Sequence, residues 1–278
     1  MLTLLLAAIG KKNREHCSDY VITVKTKENN FFVDDKDVLK FLTAATNGNI
    51  KGQPMSVFNL RRLEELLEDN VWIKDAELYF DNQDVLHVKV TEREPVARVF
   101  TTAGNSFYID NSMKQMPLSE KMSARVPVFS GFPEKKYLSE TGNQLLKNIK
   151  AIAEFILNDP FWISQVAQID ITPERNFEMI PVVGNHVVRL GDGENIDRKF
   201  HRLFVFYKDV LSKTGFDEYK NIDVQYAGQV VAVKGKTMTK IDSIQLRKNV
   251  EKLLLEAQKM ENDTTFTTNP IVEKVKQQ

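Results

Sequence analysis

The chain has 278 residues, of which 42% are hydrophobic and 27% charged, the proportions of an ordinary folded protein with room for one large domain or two smaller ones. Lys plus Arg and Asp plus Glu number 38 each, and that balance excludes a sequence-independent electrostatic attraction to nucleic acid or acidic lipid. One cysteine, Cys17, excludes an intrachain disulfide; a lone thiol suits a reducing or an oxidising compartment equally.

The chain opens on an almost wholly apolar run, Met1 to Ile9. Nine helical residues reach about 13 Å against roughly 30 Å of hydrocarbon core, so this run does not cross a bilayer alone. Three readings stay open: the end of a membrane helix that begins upstream, a short signal-peptide core, or a buried apolar start. No small-x-small cleavage site follows to support the second. The run Lys11-Lys12-Asn13-Arg14 suits a membrane surface, although the positive-inside tendency sets its basic charge against an external location.

Tyr20 to Val24 reads as a short strand, continued by Phe31-Phe32-Val33 after the polar Glu28-Asn29-Asn30. Asp34 or Asp35 caps a helix whose Val38, Leu42 and Ala45 share one face, because a carboxylate satisfies free amides in the first turn. A second helix starts near Asn59, with Leu60, Leu63 and Leu67 on one side. The period then changes: Ala76, Leu78 and Phe80 alternate with polar neighbours, Asp81-Asn82-Gln83-Asp84 turns the chain, and Leu86, Val88 and Val90 alternate on the way back. The predicted order is strand, helix, helix, strand, strand, which packs two amphipathic helices on one face of a small sheet.

After Glu94-Pro95 the pattern is mostly β. Short strands are predicted at Val96–Phe100, Ser106–Ile109, Val126–Phe129, Val166–Ile171, Phe177–Pro181, His186–Leu190, Ile222–Tyr226 and Gln229–Val233. Thr141-Gly142-Asn143-Gln144 is a capping-box pattern that opens a helix stopped by Asp159-Pro160. Gly191-Asp192-Gly193 turns into another helix carrying Ile196, Phe200, Leu203 and Phe204. Beyond Lys234 a polar spacer leads to a helix over about 243–261, with Ile244, Leu254 and Ala257 in its stripe, and then to a tail too poor in large apolar residues to fold.

Catalytic signals are thin. His16, His87, His186 and His201 have no convergent partners in the sequence, and the adjacent His16-Cys17 pair lacks metal-ligand spacing. Gly191-Asp192-Gly193 is a tight turn without the rest of a phosphate loop. No nucleophile elbow occurs. Asp and Glu are plentiful enough for a glycosidase pair, but solvated faces account for them. Phe107-Tyr108 and Phe161-Trp162 read as core or interface rather than stacking platforms. No cofactor, metal or small-molecule substrate is expected, and no enzyme activity.

The run NLRRLEELLEDNVWIKDAELYFDNQDVLHVKVTEREPVARV, from Asn59 to Val99, resembles the second half of the POTRA domain of the FtsQ/DivIB cell-division family, whose signature stands here as Glu92-Arg93-Glu94-Pro95-Val96-Ala97. Upstream FFVDDKDVLKFL is similar to that domain's start. Gly104–Asp110, Met116-Pro117-Leu118 and Val126-Pro127-Val128 are similar to the opening of the family's β domain, and VVRLGDGENIDRKFHRL and YKNIDVQYAGQVVAVK to its closing half. The resemblance implies an α+β protein: residues 1–18 as the end of a membrane anchor or a linker, a small POTRA domain (β-α-α-β-β) over 19–94, a larger, mainly antiparallel β domain with flanking helices over 95–235, and a C-terminal helix and tail over 236–278. That C-terminal helix is longer than the family leads one to expect, and it would cover part of a partner site.

The same resemblance implies a non-catalytic scaffold, single-pass in the cytoplasmic membrane with its main domains outside, that binds other bitopic division proteins such as FtsB and FtsL and helps bring septal wall synthesis to midcell. Two surfaces follow as expectations. One is the closing strand, with Tyr226, Gln229, Val230, Val231, Ala232 and Val233, as a sheet edge that accepts an extended partner segment. The other is the junction of Glu92, Arg93 and Pro95, with Pro95 ending the first sheet and stiffening the link; otherwise Glu92 and Arg93 form an exposed, weak ion pair. A POTRA-type chaperone or translocation module binding client strands is the alternative, and a cell-wall carbohydrate enzyme a more distant one.

Overall fold

The protein is described by a computed structural model over residues 16–26, 32–46, 48–134 and 141–235. The apolar start and the helix expected over 243–261 lie outside these residues. The chain forms two compact units, one made of residues up to Val99 together with Ser106–Val128, the other of Phe100–Asn105 and Phe129 onward.

The first unit follows the predicted order. Strand β1 (Asp19–Lys25), helices α1 (Asp35–Ala45) and α2 (Leu60–Glu68), and strands β2 (Ile73–Phe80) and β3 (Val85–Glu92) build a three-stranded sheet in the order β1-β3-β2. Asp34 caps α1 in a reciprocal box with Asp37, and Asn59 caps α2. Val38 and Leu42, with Leu63 and Leu67, turn inward onto Leu86, Val88 and Val90 of the central strand. Phe32 and Val33 are buried but extend no strand: Glu92 Oε1 accepts from both of their amides, at 2.8 Å from Val33, and so removes the donors a ladder would use. The outer edge of β2 is closed from within the unit, because Glu68 Oε1 accepts from Ala76 N at 3.2 Å and Glu64 Oε1 from Leu78 N at 2.7 Å.

Strand β4 (Pro95–Thr101) begins on a residue with no N–H to lose, and the hairpin β5 (Ser106–Asp110) and β6 (Gln115–Met116) follows. Tyr108 and Met116 join the core of the first unit, where Phe32 stacks on Trp72 at 4.0 Å and Tyr108 meets both rings edge-on. This core therefore runs past residue 94, where the sequence places the first boundary.

The second unit holds β7 (Val128–Phe132, joining it at Phe129), α3 (Thr141–Leu157), α4 (Pro160–Gln165), β8 (Val166–Ile171), β9 (Phe177–Pro181), β10 (Val187–Gly191), α5 (Ile196–Phe206), β11 (Tyr219–Asp223) and β12 (Val231–Lys234). The strands lie side by side in chain order, with β12 last. Hairpin neighbours β8–β9, β9–β10 and β11–β12 are antiparallel, whereas β7–β8 and β10–β11 are parallel. Both parallel pairs are separated by helices, as parallel neighbours need a long crossover that a tight turn cannot supply. Gly131 lets two backbones approach: it has φ +79°, and a Cβ there would lie 2.4 Å from Ile171 O.

Rings pack between helices and sheet. Phe200 of α5 meets Phe155 of α3 and Trp162 of α4, each at 4.8 Å. A π-helical turn over Tyr207–Leu211 continues α5 and brings the Tyr207 hydroxyl to 2.7 Å from His186 Nε2. His186 is buried, with burial lowering its pKa, and burial pushes the Tyr207 phenol well above its ordinary value. Phe161-Trp162 thus sits in helix α4 against α5.

Candidate functional site

The closing hairpin is displaced from its predicted position. β11 ends at Asp223 rather than continuing to Tyr226: Val224 N still donates to Arg189 O of β10 at 3.1 Å, but Asp223 Oδ1 then accepts from Gln225 N at 3.0 Å and turns the chain. Tyr226 to Gly228 form the turn, with Gly228 at φ +76°, and β12 begins at Val231. Gln229 and Val230 therefore belong to the turn's exit, and only Val231, Ala232 and Val233 of the expected residues pair with β11, opposite Asp223, Ile222 and Asn221. On its other side β12 has no neighbouring strand among the described residues. Val231 and Val233 point to the same side and are 43% and 52% exposed, and Tyr226 is 53% exposed. Three large apolar groups thus stand in solvent beside a strand edge that no other described strand covers.

Sequence reasoning missed the groove next to this edge. His201, Arg202, Val205, Phe206, Asp209 and Val210, from α5 and the turn after it, face Gly228, Gln229 and Val230 across about 270 Å³. Its volume falls below the roughly 300–1,000 Å³ of a small-molecule site. Arg202 Nη2 donates to Val224 O at 2.6 Å, while its buried Nε has no acceptor among the described residues. The signal was present in the helix sequence IDRKFHRLFVF: Phe204 and Val205 extend the apolar stripe beyond the face that the core uses, and they remain 39% and 42% exposed.

The junction residues behave differently from expectation. Glu92 and Arg93 are buried, at 4% and 9% exposure, and do not pair with each other. Besides holding the Phe32 and Val33 amides, the Glu92 carboxyl has its pKa raised by burial. Arg93 Nε donates to Val71 O at 3.0 Å, Nη2 to Ile73 O at 3.1 Å, and Nη1 to Asp110 Oδ2 at 2.6 Å. Burial pushes the Asp110 carboxyl up, but Arg93, Ser112 and the Lys114 amide outweigh it and hold its pKa below the ordinary range. Glu92 and Arg93 thus do not form the exposed pair expected: they act as an internal clamp between the β2 start, the residues before α1 and the β5–β6 turn. Pro95, half-buried, opens β4.

Two family models cover the chain in the order that this geometry suggests. One, described as POTRA-like domain, matches residues 15–91, and the other, described as FtsQ/DivIB, C-terminal related, matches 94–233, about half of the chain. The chain belongs to the FtsQ/DivIB family. Among its relatives, the cell division protein FtsQ of Salinibacter ruber is 29% identical over 58% of this chain and 64% of its own length. That of Geotalea daltonii is 25% identical over 66% of each, and that of Syntrophotalea carbinolica is 23% identical over 80% of each. The match thus spans a little under two thirds of the first two FtsQ proteins. The FtsQ/DivIB match ends at Val233, within strand β12. Among the described residues no helix is long and apolar enough to cross a membrane.

Proposed function

We propose that this protein is a non-catalytic adaptor of cell division that receives an extended segment of another bitopic division protein along β12. The observation that carries the reading is the end strand β12 with Val231, Val233 and Tyr226 exposed beside it. A segment added there would pair with backbone groups that β11 leaves unused, each bond contributing about 0.5–1.5 kcal/mol net. Specificity would then come from apolar contacts with the exposed valines. FtsB- and FtsL-like proteins are the partners proposed, and a single-pass anchor preceding residue 16 would hold the two units outside the cytoplasmic membrane. The proposed architecture keeps the domains at 19–94 and 95–235, with the 106–128 segment sharing the core of the first.

The test is a charge scan. Tyr226→Glu, Val231→Glu and Val233→Glu add a carboxylate to side chains already in solvent, so the far-ultraviolet circular dichroism should match the parent. Titration calorimetry with the extracytoplasmic segment of FtsB should show at least tenfold weaker binding for Val231→Glu or Val233→Glu. Parent-like binding by every folded variant would move the site away from β12.

The strand-binding chaperone reading keeps a single support, the edge of β1. Its strand partner among the described residues is β3, whereas the β2 edge is closed by Glu64 and Glu68.

A further inference from the structure

One turn of backbone serves both the core and the groove beside β12. Tyr207 opens the π-helical turn and is buried, whereas Asp209 and Val210 of the same turn line the groove. The turn is wider than an α-helix: Ser212 N donates to Tyr207 O, five positions back. The Lys208 carbonyl, which an α-helix would pair with Ser212 N, accepts from the Ser212 hydroxyl instead. Such turns are uncommon and appear mostly at functional sites, so what holds this one matters.

The protons around Tyr207 are fixed by elimination. Phe216 O can only accept, so at 3.3 Å it takes the proton of His186 Nδ1. In the neutral ring Nε2 is then the bare nitrogen, and the Tyr207 hydroxyl, 2.7 Å away, donates to it. Burial pushes the phenol up, so that hydroxyl keeps its own proton. Gly184 makes room for the arrangement: it has φ +90°, and a Cβ there would fall 2.8 Å from His186 Nδ1 and 3.0 Å from Phe216 O. A second proton on His186 occupies Nε2 and sets N–H against O–H. The hydroxyl must then turn away, into surroundings that include the rings of Trp162 and Phe216. Asp217, the charged group whose field reaches the imidazole, favours that proton; burial opposes it more strongly and keeps His186 neutral at pH 7.

We infer that the Tyr207–His186 hydrogen bond is a proton-sensitive latch: it holds residues 207–211 in the π-helical turn, and a proton on His186 releases Tyr207 and lets the turn rewind, carrying Asp209 and Val210 off the groove wall. On release Ser212 N regains the Lys208 carbonyl, four positions back, as an α-helix requires. The latch lies wholly within the second unit. Its effect on a partner rests on the proposed use of β12; the latch itself does not.

Nuclear magnetic resonance of the full chain tests this, in a His201→Asn background that removes the other imidazole at the groove. At pH 8 the His186 ring should carry its proton on Nδ1. On titration to pH 5 the amides of 207–212 and 228–230 should shift together with the ring, at one midpoint below the ordinary 6.5. His186→Phe should abolish that coupled shift. Tyr207→Phe keeps the ring but removes the donor that favours neutral His186, so it should raise the midpoint by about one pH unit, which a packing role alone would not do. A proton on Nε2 at pH 8, groove amides that stay in place while the ring titrates, or amides that shift equally in His186→Phe would each overturn the latch. Loss of signal dispersion across the whole second unit at that midpoint is unfolding rather than release, and overturns it too. If the latch holds, the FtsB segment should bind the parent at least threefold more weakly at pH 5 than at pH 8, and His186→Phe should cancel that difference. No binding of the segment at either pH, with the amide titration intact, would sink the β12 partner reading alone.

Discussion

The Arg93–Asp110 clamp makes the most quantitative demand on the structure. Asp110 is 1% exposed, and its carboxylate takes Arg93 Nη1 at 2.6 Å, the Ser112 and Lys114 amides at 2.8 Å each, and the Ser112 hydroxyl. Asp110→Ala leaves a buried guanidinium and two amides without that acceptor, and breaking one side of such a pair costs about 3–5 kcal/mol. Arg93→Met strands the same carboxylate and also uncovers the Val71 and Ile73 carbonyls, with a comparable loss. The double variant no longer holds an unpaired charge, so the single losses should sum to about 2 kcal/mol more than the double. Trp72 and Trp162 are the chain's two tryptophans, one in each unit. Urea unfolding followed by fluorescence in a Trp162→Phe background therefore reports on the first unit alone. Additive losses, or a loss below about 1 kcal/mol for Asp110→Ala, would show the carboxylate to be solvated and refute the clamp. The acid limb gives a second check. A depressed pKa contributes stability that is present above the ordinary 3.8 and disappears as pH falls through the lower folded value, so Asp110→Asn should flatten the curve there.

Leu67→Ala should destabilise the first unit by about 2–5 kcal/mol, because Leu67 is fully buried, whereas exposed Glu65→Ala should change little; similar small effects in a melt would put the α2 phase in error. A fragment ending at Glu94 loses Tyr108, Met116 and the Asp110 carboxylate from its core, so its urea midpoint should fall well below that of a fragment ending at Val128, and equal midpoints would show the added segment to be passive. For His186 the folded pKa lies below the ordinary 6.5; the unfolded chain takes up the proton first, so stability of the second unit should fall as pH drops below about 6.5, by up to about 1.4 kcal/mol per pH unit. His186→Phe should remove that slope, measured by Trp162 fluorescence against pH in a Trp72→Phe background.

Much of this fold is written in local periodicity. Val38 and Leu42 share a helical face, Leu86, Val88 and Val90 alternate with His87 and Lys89, and Asp34 and Asn59 stand where free amides require an acceptor. Each pattern involves residues a few positions apart, whose relative directions follow from helix or strand geometry alone. The misreadings arise where a distant residue sets the outcome. Phe32 and Val33 have the composition of a strand, but Glu92, 59 residues from Val33, takes their amides. Glu92 and Arg93 look like surface charges until Asp110 and the carbonyls of Val71 and Ile73 are brought around Arg93. The strand character of Val231–Val233 is evident from its β-branched residues, yet its place as the last strand depends on how all the others pair. Edge position and charge burial are properties of neighbours brought together across the chain, and no local spacing encodes them.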